Sequence, residues 1–547
     1  MWGLLLPWRN EKKGRIRLNR ISINFRKELE ASGLYDEVAR LNAYVGDIHN
    51  HSGISYGYGR IEDAIAFARE QLDFFSVTGH FAWPDMDEEG KNIPEDVKEY
   101  HRKGFAKLRK NWPHYLECMT AAESDSFIPF PSYEYHSFIY GDYTILCKNP
   151  SEPLPDPVAE GEEDRRLINL VNADESQRGH YLCTPHHIGY KEGWRGISWS
   201  HYREEPSPLV EIISMHGCSE SYEAVPKYLH TMGPRSEKNT YQGGLQLGKH
   251  FGVVGSTDHH NSAPGSYGFG RTVLYAESLS RDSVWNALND RATTAASGDP
   301  IETALFVNGV RSGHIAPKHN GKIHAEAFVA AYDRLEKVEL IQDGRVIAGK
   351  YNFESDSRDD GKGFISFMFG WGKKHKSATW DVELSVDNGS VLSVTPRLRG
   401  IDMVDPLDVP ADGSAVLPHL VRNDNGVSLH VVTDGNATAQ TDSSNGFVLE
   451  VDGSDDTVIT LKAKVCWSGR TVEREYRYTL AELREEQTSE YVDGFVSPAV
   501  EIGRFVPVAE TVAHLDAYLE TENQGAIYLR AYEKHGDAVF TSPVSFR

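Results

Sequence analysis

Cysteine is scarce in this sequence, and its few positions form no pattern. Five cysteines are scattered over 547 residues, an odd number without C-x-x-C spacing. Disulfide frameworks and thiolate zinc sites both require closely grouped cysteines, so we expect neither. Any metal site in this chain would then be built from histidine and carboxylate side chains.

Long apolar runs and an excess of basic residues are also missing. No stretch approaches the roughly 20 apolar residues that span a bilayer, and basic residues follow the apolar residues 1–8, the reverse of their order in a signal peptide. We therefore expect a cytoplasmic protein. With 57 Lys and Arg against 80 Asp and Glu, the net charge is −23. This balance disfavours nucleic acid and anionic membrane as partners, so we expect to find a small-molecule or sugar-type substrate.

The chain is long enough for several domains, and its pattern changes once. A hydrophobic content of 39% is typical of a globular protein that can form real cores. Up to about residue 300, strand-like apolar runs alternate with helical patterns, for example at residues 61–72 and 94–112. We predict a helical lead-in over residues 1–42 and an α/β domain over 43–300. Residues 301–547 are expected to form one or two β-sandwich-like units, with room for an insertion at about 400–460.

Pairs of Asn-Gly or Asp-Gly in the second half predict β-hairpins. The clearest hairpin turns at Asp343-Gly344, between the runs at residues 338–341 and 346–347. Similar turns are predicted at Asn425-Gly426, Asn445-Gly446 and Asp452-Gly453. In the first half, residues 165–172 have a helical pattern.

The segment Asp47-Ile48-His49-Asn50-His51 directly follows the short apolar run at residues 43–45. Imidazoles at i and i+2 of a strand point to the same side and can reach one metal ion. Two histidines on a strand face are also commonly structural. The motif therefore needs support from elsewhere in the chain.

That support comes from further strand-like runs, which end in or carry metal-competent side chains. These side chains are His80, Glu134, the pair His186 and His187, Glu211, His216, and the group Asp258, His259 and His260. Strand carboxyl ends in α/β sheets converge on one face, where sites are built. Because adjacent residues on a strand point oppositely, only one histidine of each pair should face such a site.

Taken in order, these motifs resemble those of the PHP (polymerase and histidinol phosphatase) family. The family pattern runs Asp-x-His-x-His, Thr-Asp-His, an isolated Glu, further His positions and Asp-x-His, and the match covers residues 43–300. The segments Thr293-Thr294-Ala295-Ala296-Ser297-Gly298 and Tyr528-Leu529-Arg530 resemble a subgroup with a β-rich C-terminal domain. The resemblance implies an α/β fold: a distorted (βα)₇ barrel followed by a β-sandwich region.

The resemblance also implies a set of metal ligands. His49, His51 and Asp258 would hold one divalent metal, and Glu134 would bridge it to a second one bound by His186. His216 or Glu211 would be a further ligand, while His80 and His260 match ligands of a third metal. Two departures affect that third site: Tyr56-Gly57 stands where a loop ligand is expected, and Gly79 replaces an Asp. His80 and His260 could instead contact substrate.

Imidazole and carboxylate ligands suit two or three Zn²⁺, Mn²⁺ or Fe²⁺ ions. Such a centre can activate water and stabilise the oxygens of a phosphoester. We predict a metal-dependent hydrolase, most simply a phosphoesterase on a small or sugar-phosphate substrate, with His80, His260 and Glu134 in catalytic roles. Cationic residues near the predicted site are candidates for binding the anion, although each could equally be an ordinary surface or salt-bridge residue: Arg60, Lys191, Arg195 and Arg271.

Two other hypotheses are compatible with these residues. The same centre could cleave a carbohydrate-type, non-phosphate substrate as a hydrolase or lyase. The loop tryptophans Trp194 and Trp199 and the β-rich region favour this hypothesis. Alternatively, the chain could be a non-catalytic PHP module that binds a partner. The survival of all five principal ligands disfavours that alternative.

Overall fold

A computed structural model describes residues 19–155, 179–228, 233–318, 321–353, 361–370, 376–400, 417–435, 442–520 and 525–547. The helix predicted at residues 165–172 lies outside these ranges. Within them, no helix is both long and apolar enough to cross a membrane.

Helices occur mainly in the first part of the chain. They are α1 Arg20–Asn24, α2 Arg26–Ser32, α3 Tyr35–Ala39, α4 Ile61–Gln71, α5 Glu95–Ala122, α6 Tyr241–Gln246, α7 Arg281–Asn289, α8 Leu480–Glu485 and α9 Val508–Thr511. The predicted amphipathic helix is confirmed as α4, which buries Ile61, Ala64, Ile65 and Ala68. The second predicted helix is also present, and it continues through Pro113 to Ala122.

The strands of the first part are short and mostly buried. They are β1 Asn42–Asp47, β2 Phe74–Phe75, β3 Thr78–Ala82, β4 Ile128–Pro129, β5 Ser132–Tyr135, β6 Tyr143–Cys147, β7 Tyr181–Pro185, β8 Leu209–Ser214, β9 Gly217–Cys218, β10 Gly252–Gly255, β11 Arg271–Ala276 and β12 Thr293–Ala296. Parallel pairs join β1 to β2, β2 to β4, β3 to β5 and β8 to β10. Strand β6 runs antiparallel to both β5 and β7. The predicted mixed α/β character of this part is confirmed.

The segments that follow β1 and β10 also lie side by side. The Asp258 N–H donates to the His49 carbonyl at 2.7 Å, and the His51 N–H donates to the His259 carbonyl at 2.8 Å. The two segments that carry the first and last predicted ligands are therefore held together by backbone hydrogen bonds.

The second part is β-rich. Its strands are β13 Glu302–Val307, β14 Val310–Arg311, β15 Ile315–Ala316, β16 Lys322–Ala330, β17 Leu335–Gln342, β18 Arg345–Lys350, β19 Lys362–Gly370, β20 Ala378–Arg397, β21 His419–Asn423, β22 Gly426–Thr433, β23 Asn445–Trp467, β24 Arg470–Thr479, β25 Thr488–Tyr491, β26 Ala499–Ile502, β27 Val506–Pro507, β28 Val512–Glu520, β29 Ile527–Glu533, β30 Ala538–Thr541 and β31 Ser545–Phe546. A nine-stranded sheet contains the long antiparallel pair β20 and β23. The predicted large antiparallel region is confirmed.

The hairpin predictions have mixed outcomes. Strands β17 and β18 form the predicted hairpin, in which Asp343 and Gly344 have φ values of 51° and 75°. The pair Asn425-Gly426 also lies at a turn, between β21 and β22. The turns predicted at Asn445-Gly446 and Asp452-Gly453 are wrong, because both pairs lie inside β23. At Gly446 a Cβ would lie 1.9 Å from the Phe367 carbonyl oxygen, so glycine there permits close strand approach.

Two strands near the end of the chain, β29 and β30, belong to the sheet that contains β1. Strand β30 pairs with β12, and the sheet continues through β11 to β1 in the order β18-β17-β29-β30-β12-β11-β1-β2-β4. The nine-stranded sheet that contains β20 and β23 (the long-stranded sheet) also contacts the first part of the chain. Phe67 of α4 belongs to the hydrophobic core of this sheet, and Glu70 accepts a hydrogen bond from the Leu420 N–H at 3.1 Å. The proposed domain boundaries stay predictions.

Candidate metal centre

The strand ends bring all eight predicted metal ligands into one cluster. Its members are His49, His51, His80, Glu134, His186, His216, Asp258 and His260. Seven of them are buried, and His260 has the most exposed side chain, at 17%. Their convergence follows from the parallel pairing and from the hydrogen bonds between the segments that follow β1 and β10, which place the carboxyl ends of several strands together.

Three of these side chains converge on one point. His51 Nε2 lies 3.3 Å from His49 Nε2 and 3.1 Å from Asp258 Oδ1, and His49 Nε2 lies 3.3 Å from the same oxygen. Ligand atoms about 2.0 Å from a tetrahedral zinc ion are themselves about 3.3 Å apart. The three atoms are therefore spaced like ligands of a single ion. The second Asp258 oxygen lies 2.9 Å from His216 Nε2.

Glu134 directs its two carboxylate oxygens at different histidines. Oε2 lies 3.2 Å from His51 Nε2 and 3.3 Å from His80 Nε2, whereas Oε1 lies 3.1 Å from His186 Nε2. Although it is buried, Oε2 accepts no hydrogen bond from the described residues. A buried carboxylate oxygen that accepts no hydrogen bond and is surrounded by imidazole nitrogens fits a bridging metal ligand.

The position of Tyr56 bears on the third metal site. His51, His80 and His260 offer ligand atoms within 4.8 Å of one another. The Tyr56 ring stacks on His80 with centroids 3.5 Å apart, and its hydroxyl lies 3.2 Å from His136 Nε2. Tyr56 thus occupies the space beside His80 with its ring.

Sequence reasoning missed Asp142. This buried residue lies just before β6, and its Oδ2 is 3.2 Å from His136 Nδ1 and 3.4 Å from His187 Nε2. Together with Glu134, His186 and His187 it forms a further group able to hold a metal, so the expectation that only one histidine of this pair faces the site is wrong. The available signal was the Gly141-Asp142 pair ahead of an apolar run. That pair lies at the start of the antiparallel strand β6, whereas the predicted ligands lie at or near strand ends.

The pKa shifts of His80, His186, His260 and Glu134 favour metal binding, whereas at His49 burial is outweighed by Asp258 and Glu211, which raise its pKa well above the usual value. Burial, reinforced by the neighbouring His51, lowers the pKa of His80 and lowers that of His260 to about 3. Burial and His49 lower the pKa of His186. Burial opposes ionisation of Glu134, yet the surrounding histidines outweigh it and its pKa falls well below the usual value. Neutral imidazoles and an ionised carboxylate are the forms that bind metals.

Glu211 contacts the ring nitrogen of His49 that faces away from the cluster. Glu211 Oε2 lies 2.7 Å from His49 Nδ1, and Oε1 accepts the His187 N–H at 3.2 Å. Because Nδ1 is engaged with Glu211, Nε2 of His49 points to the cluster. In this arrangement Glu211 orients a ligand.

Replacing Glu211 with glutamine is expected to weaken metal affinity about 10-fold to 100-fold, because the His49 ring loses its charged partner. Competition with a chromophoric chelator measures the change. The control is Glu223→Gln, at an exposed glutamate. Unchanged affinity in Glu211→Gln would show that this contact does not support the centre.

The four predicted substrate-binding cations occupy different environments. Arg195 lies in the cluster: its side chain is 12% exposed, pairs with Asp142 and lies 4.0 Å from Glu134 Oε1. Arg60 is half exposed and pairs with Asp63 at 2.8 Å. Lys191 is exposed.

Arg271 is buried away from the cluster. It donates to the Gly265 carbonyl at 2.9 Å, to Gln71 Oε1 at 2.7 Å and to the Pro396 carbonyl at 3.3 Å. These contacts tie both parts of the chain together. The two loop tryptophans also differ: Trp199 is buried and stacks on Phe251, whereas Trp194 is 38% exposed.

Comparisons with known proteins gave matches among solved structures. No family model matches the sequence, and no curated protein matches it. One similar structure is a two-domain protein from Bacteroides vulgatus, described as containing a predicted PHP-like metal-dependent phosphoesterase. It has 11% identity and a TM-score of 0.29, and the match covers 80% of this chain and 96% of that one. Another is PsfC from Pseudomonas syringae, with 16% identity, a TM-score of 0.27 and coverage of 43% and 82%. Matches with TM-scores this low do not indicate a function, whereas the side chains of the cluster do.

Proposed function

We propose that this chain is a PHP-like metal-dependent phosphoesterase. The observation that carries the proposal is Glu134, whose two oxygens lie between the His49–His51–Asp258 group and His186. Leaving a buried polar atom unpaired costs roughly 1–3 kcal/mol. A bridging role between two metal ions accounts for such an oxygen in a cluster of imidazoles. The distorted (βα)₇ barrel belongs to this proposal as the scaffold that converges the strand ends.

Two groups of side chains would hold the metals. His49, His51 and Asp258, with His216 beside them, would bind the first ion. Glu134 and His186 would bind the second, and His80 and His260 would bind a third ion or contact substrate. The absence of thiolates suits Zn²⁺, Mn²⁺ or Fe²⁺. When bound, two such ions lower the pKa of a water molecule from about 15.7 towards 7 and neutralise charge on phosphoryl oxygens.

Two residues at the edge of the cluster, His260 and Arg195, would contact the substrate. His260 Nδ1 donates to the Asp258 carbonyl at 2.8 Å, which leaves the Nε2 lone pair available to bind a ligand or accept a proton. As the most exposed member of the cluster, His260 would meet substrate first. Arg195 is held by Asp142 beside Glu134, where its positive charge favours an anionic substrate.

The substrate we propose is a small or sugar phosphoester. Its anionic group would be attracted by the metal ions even though the chain as a whole is acidic. The alternative, a carbohydrate-type substrate without phosphate, uses the same centre and is supported by the exposed Trp194. A panel of substrates separates the two.

The reconstituted protein should release inorganic phosphate from at least one sugar phosphate or small phosphoester in the presence of Mn²⁺ or Zn²⁺. Phosphate release is measured colorimetrically, with chelator-treated protein as the control. Activity restricted to non-phosphate substrates would replace the phosphoesterase proposal with the alternative. Absence of activity on every substrate, despite full metal loading, would contradict both.

A further inference from the structure

A large cavity lies outside the candidate metal centre. Its volume is about 710 Å³, and none of the eight cluster residues lines it. The long-stranded sheet supplies one wall, including Phe364 and Ser366 of β19, and the turn between β29 and β30 supplies another. Small-molecule sites typically enclose about 300–1,000 Å³. The cavity is therefore large enough for a sugar-sized ligand.

Charged side chains of both signs line this cavity. Its lining includes five arginine or lysine residues and four carboxylates, in a protein whose net charge is −23. The cations are Arg334, Arg397, Arg399, Arg504 and Lys534, and the carboxylates are Asp333, Asp442, Glu501 and Asp537. Arg334 and Arg397 pair with Glu510 and Asp299, which lie outside the lining, so only cations without a carboxylate partner can favour an anionic ligand.

Two of the cations have no carboxylate partner among the described residues. Arg504 donates to the Glu485 carbonyl, and the Lys534 ammonium forms no ion pair or hydrogen bond with the other described residues. Both side chains are exposed to solvent at the cavity. By contrast, Arg397 pairs with Asp299 at 2.5 Å and Arg399 with Asp442 at 3.0 Å. The uncompensated positive charge thus lies at Arg504 and Lys534.

Polar side chains line another part of the cavity. His535 Nδ1 lies 3.0 Å from Asp333 Oδ2, and its Nε2 lies 3.1 Å from Asp537 Oδ2. Burial and Arg397 act against the charged form of His535, but Asp537 and Asp333 outweigh them and raise its pKa. The lining also contains the serines 297, 366 and 444 and the aromatic rings of Tyr332 and Phe364. Carboxylates and serines can bond to sugar hydroxyls, and aromatic rings can contact a sugar face.

We propose that this cavity binds an acidic sugar, meaning a sugar ring that carries one phosphate or carboxylate group. Arg504 and Lys534 would contact the anionic group, while the carboxylates and serines of the lining accept hydroxyl hydrogen bonds. Two cations without a carboxylate partner among the described residues suit a single anionic group and disfavour a polyanion. This site is independent of the proposed phosphoesterase activity.

Binding to full-length, metal-depleted protein tests the proposal, because depletion removes the metal centre as a competing phosphate site. Isothermal titration calorimetry with glucose 6-phosphate and with glucuronate shows which acidic group is preferred, and glucose is the neutral control. At least one acid should bind with 1:1 stoichiometry, and the double variant Arg504→Ala/Lys534→Ala should bind it at least tenfold more weakly. The matched control is Lys464→Ala, at an exposed lysine of β23.

Three results would overturn the proposal: failure of both acids to bind, equal affinity in the double variant, or equally tight binding of glucose. The substituted side chains are both exposed, and circular dichroism establishes that the variants remain folded. Because the assay contains no metal, its outcome does not depend on whether the phosphoesterase proposal is correct.

Discussion

Replacing Asp258 with asparagine is expected to abolish detectable turnover and to prevent binding of the metal that His49 and His51 would hold. Asp258 offers Oδ1 to both histidines and Oδ2 to His216, and asparagine keeps its shape while removing its charge. Metal-ion catalysis contributes several kcal/mol of transition-state stabilisation, so we expect a loss of about 1,000-fold or more. Metal content by mass spectrometry and phosphate release are measured on the same preparation.

Asparagine is chosen because Asp258 has a φ of 52°. Asparagine tolerates this left-handed conformation better than most residues, so backbone strain does not confuse the result. The control is Asp290→Asn, at a carboxylate that is half exposed and pairs with Arg311. Retention of both metal and activity in Asp258→Asn would exclude Asp258 from the centre.

Replacing Glu134 with glutamine is expected to produce a different loss. Glutamine occupies nearly the same volume, but its neutral amide is a poor bridging ligand. We expect the second metal to leave, the first to remain with His49, His51 and Asp258, and activity to fall by about 1,000-fold. Metal stoichiometry therefore separates this variant from Asp258→Asn, although both lose turnover.

The matched control for this experiment is Glu117→Gln, at an exposed glutamate of α5. Normal metal content in Glu134→Gln would show that Glu134 does not bridge. Loss of both ions would indicate that the two sites bind cooperatively, and turnover similar to that of the native protein would contradict a catalytic role for Glu134.

The cluster could be predicted because each ligand comes from a short motif at or just beyond a strand end. His186 lies 3.1 Å from Glu134 Oε1 and the His260 ring lies 4.2 Å from that of His51, but His187 also lies beside the cluster, 3.4 Å from Asp142 Oδ2. The role of each residue stays a prediction. Asp142 escaped because it precedes its strand.

Long-range pairing was beyond the sequence patterns. Nothing local to Arg271 shows that its partners are the carbonyls of Gly265 and Pro396, the second of which is 125 residues away. In the same way, no periodicity shows that β30 pairs with β12. Asn445-Gly446 reads locally as a turn, yet the neighbouring β19 keeps it extended. Such features depend on which distant segments meet.

The metal content of the purified protein tests the central claim most directly. After reconstitution with Mn²⁺ or Zn²⁺ and removal of excess ion, inductively coupled plasma mass spectrometry should find two or more ions per chain. Asp258→Asn and Glu134→Gln should each contain fewer. Less than one ion per native chain would contradict a multinuclear centre formed by His49, His51, Glu134, His186 and Asp258.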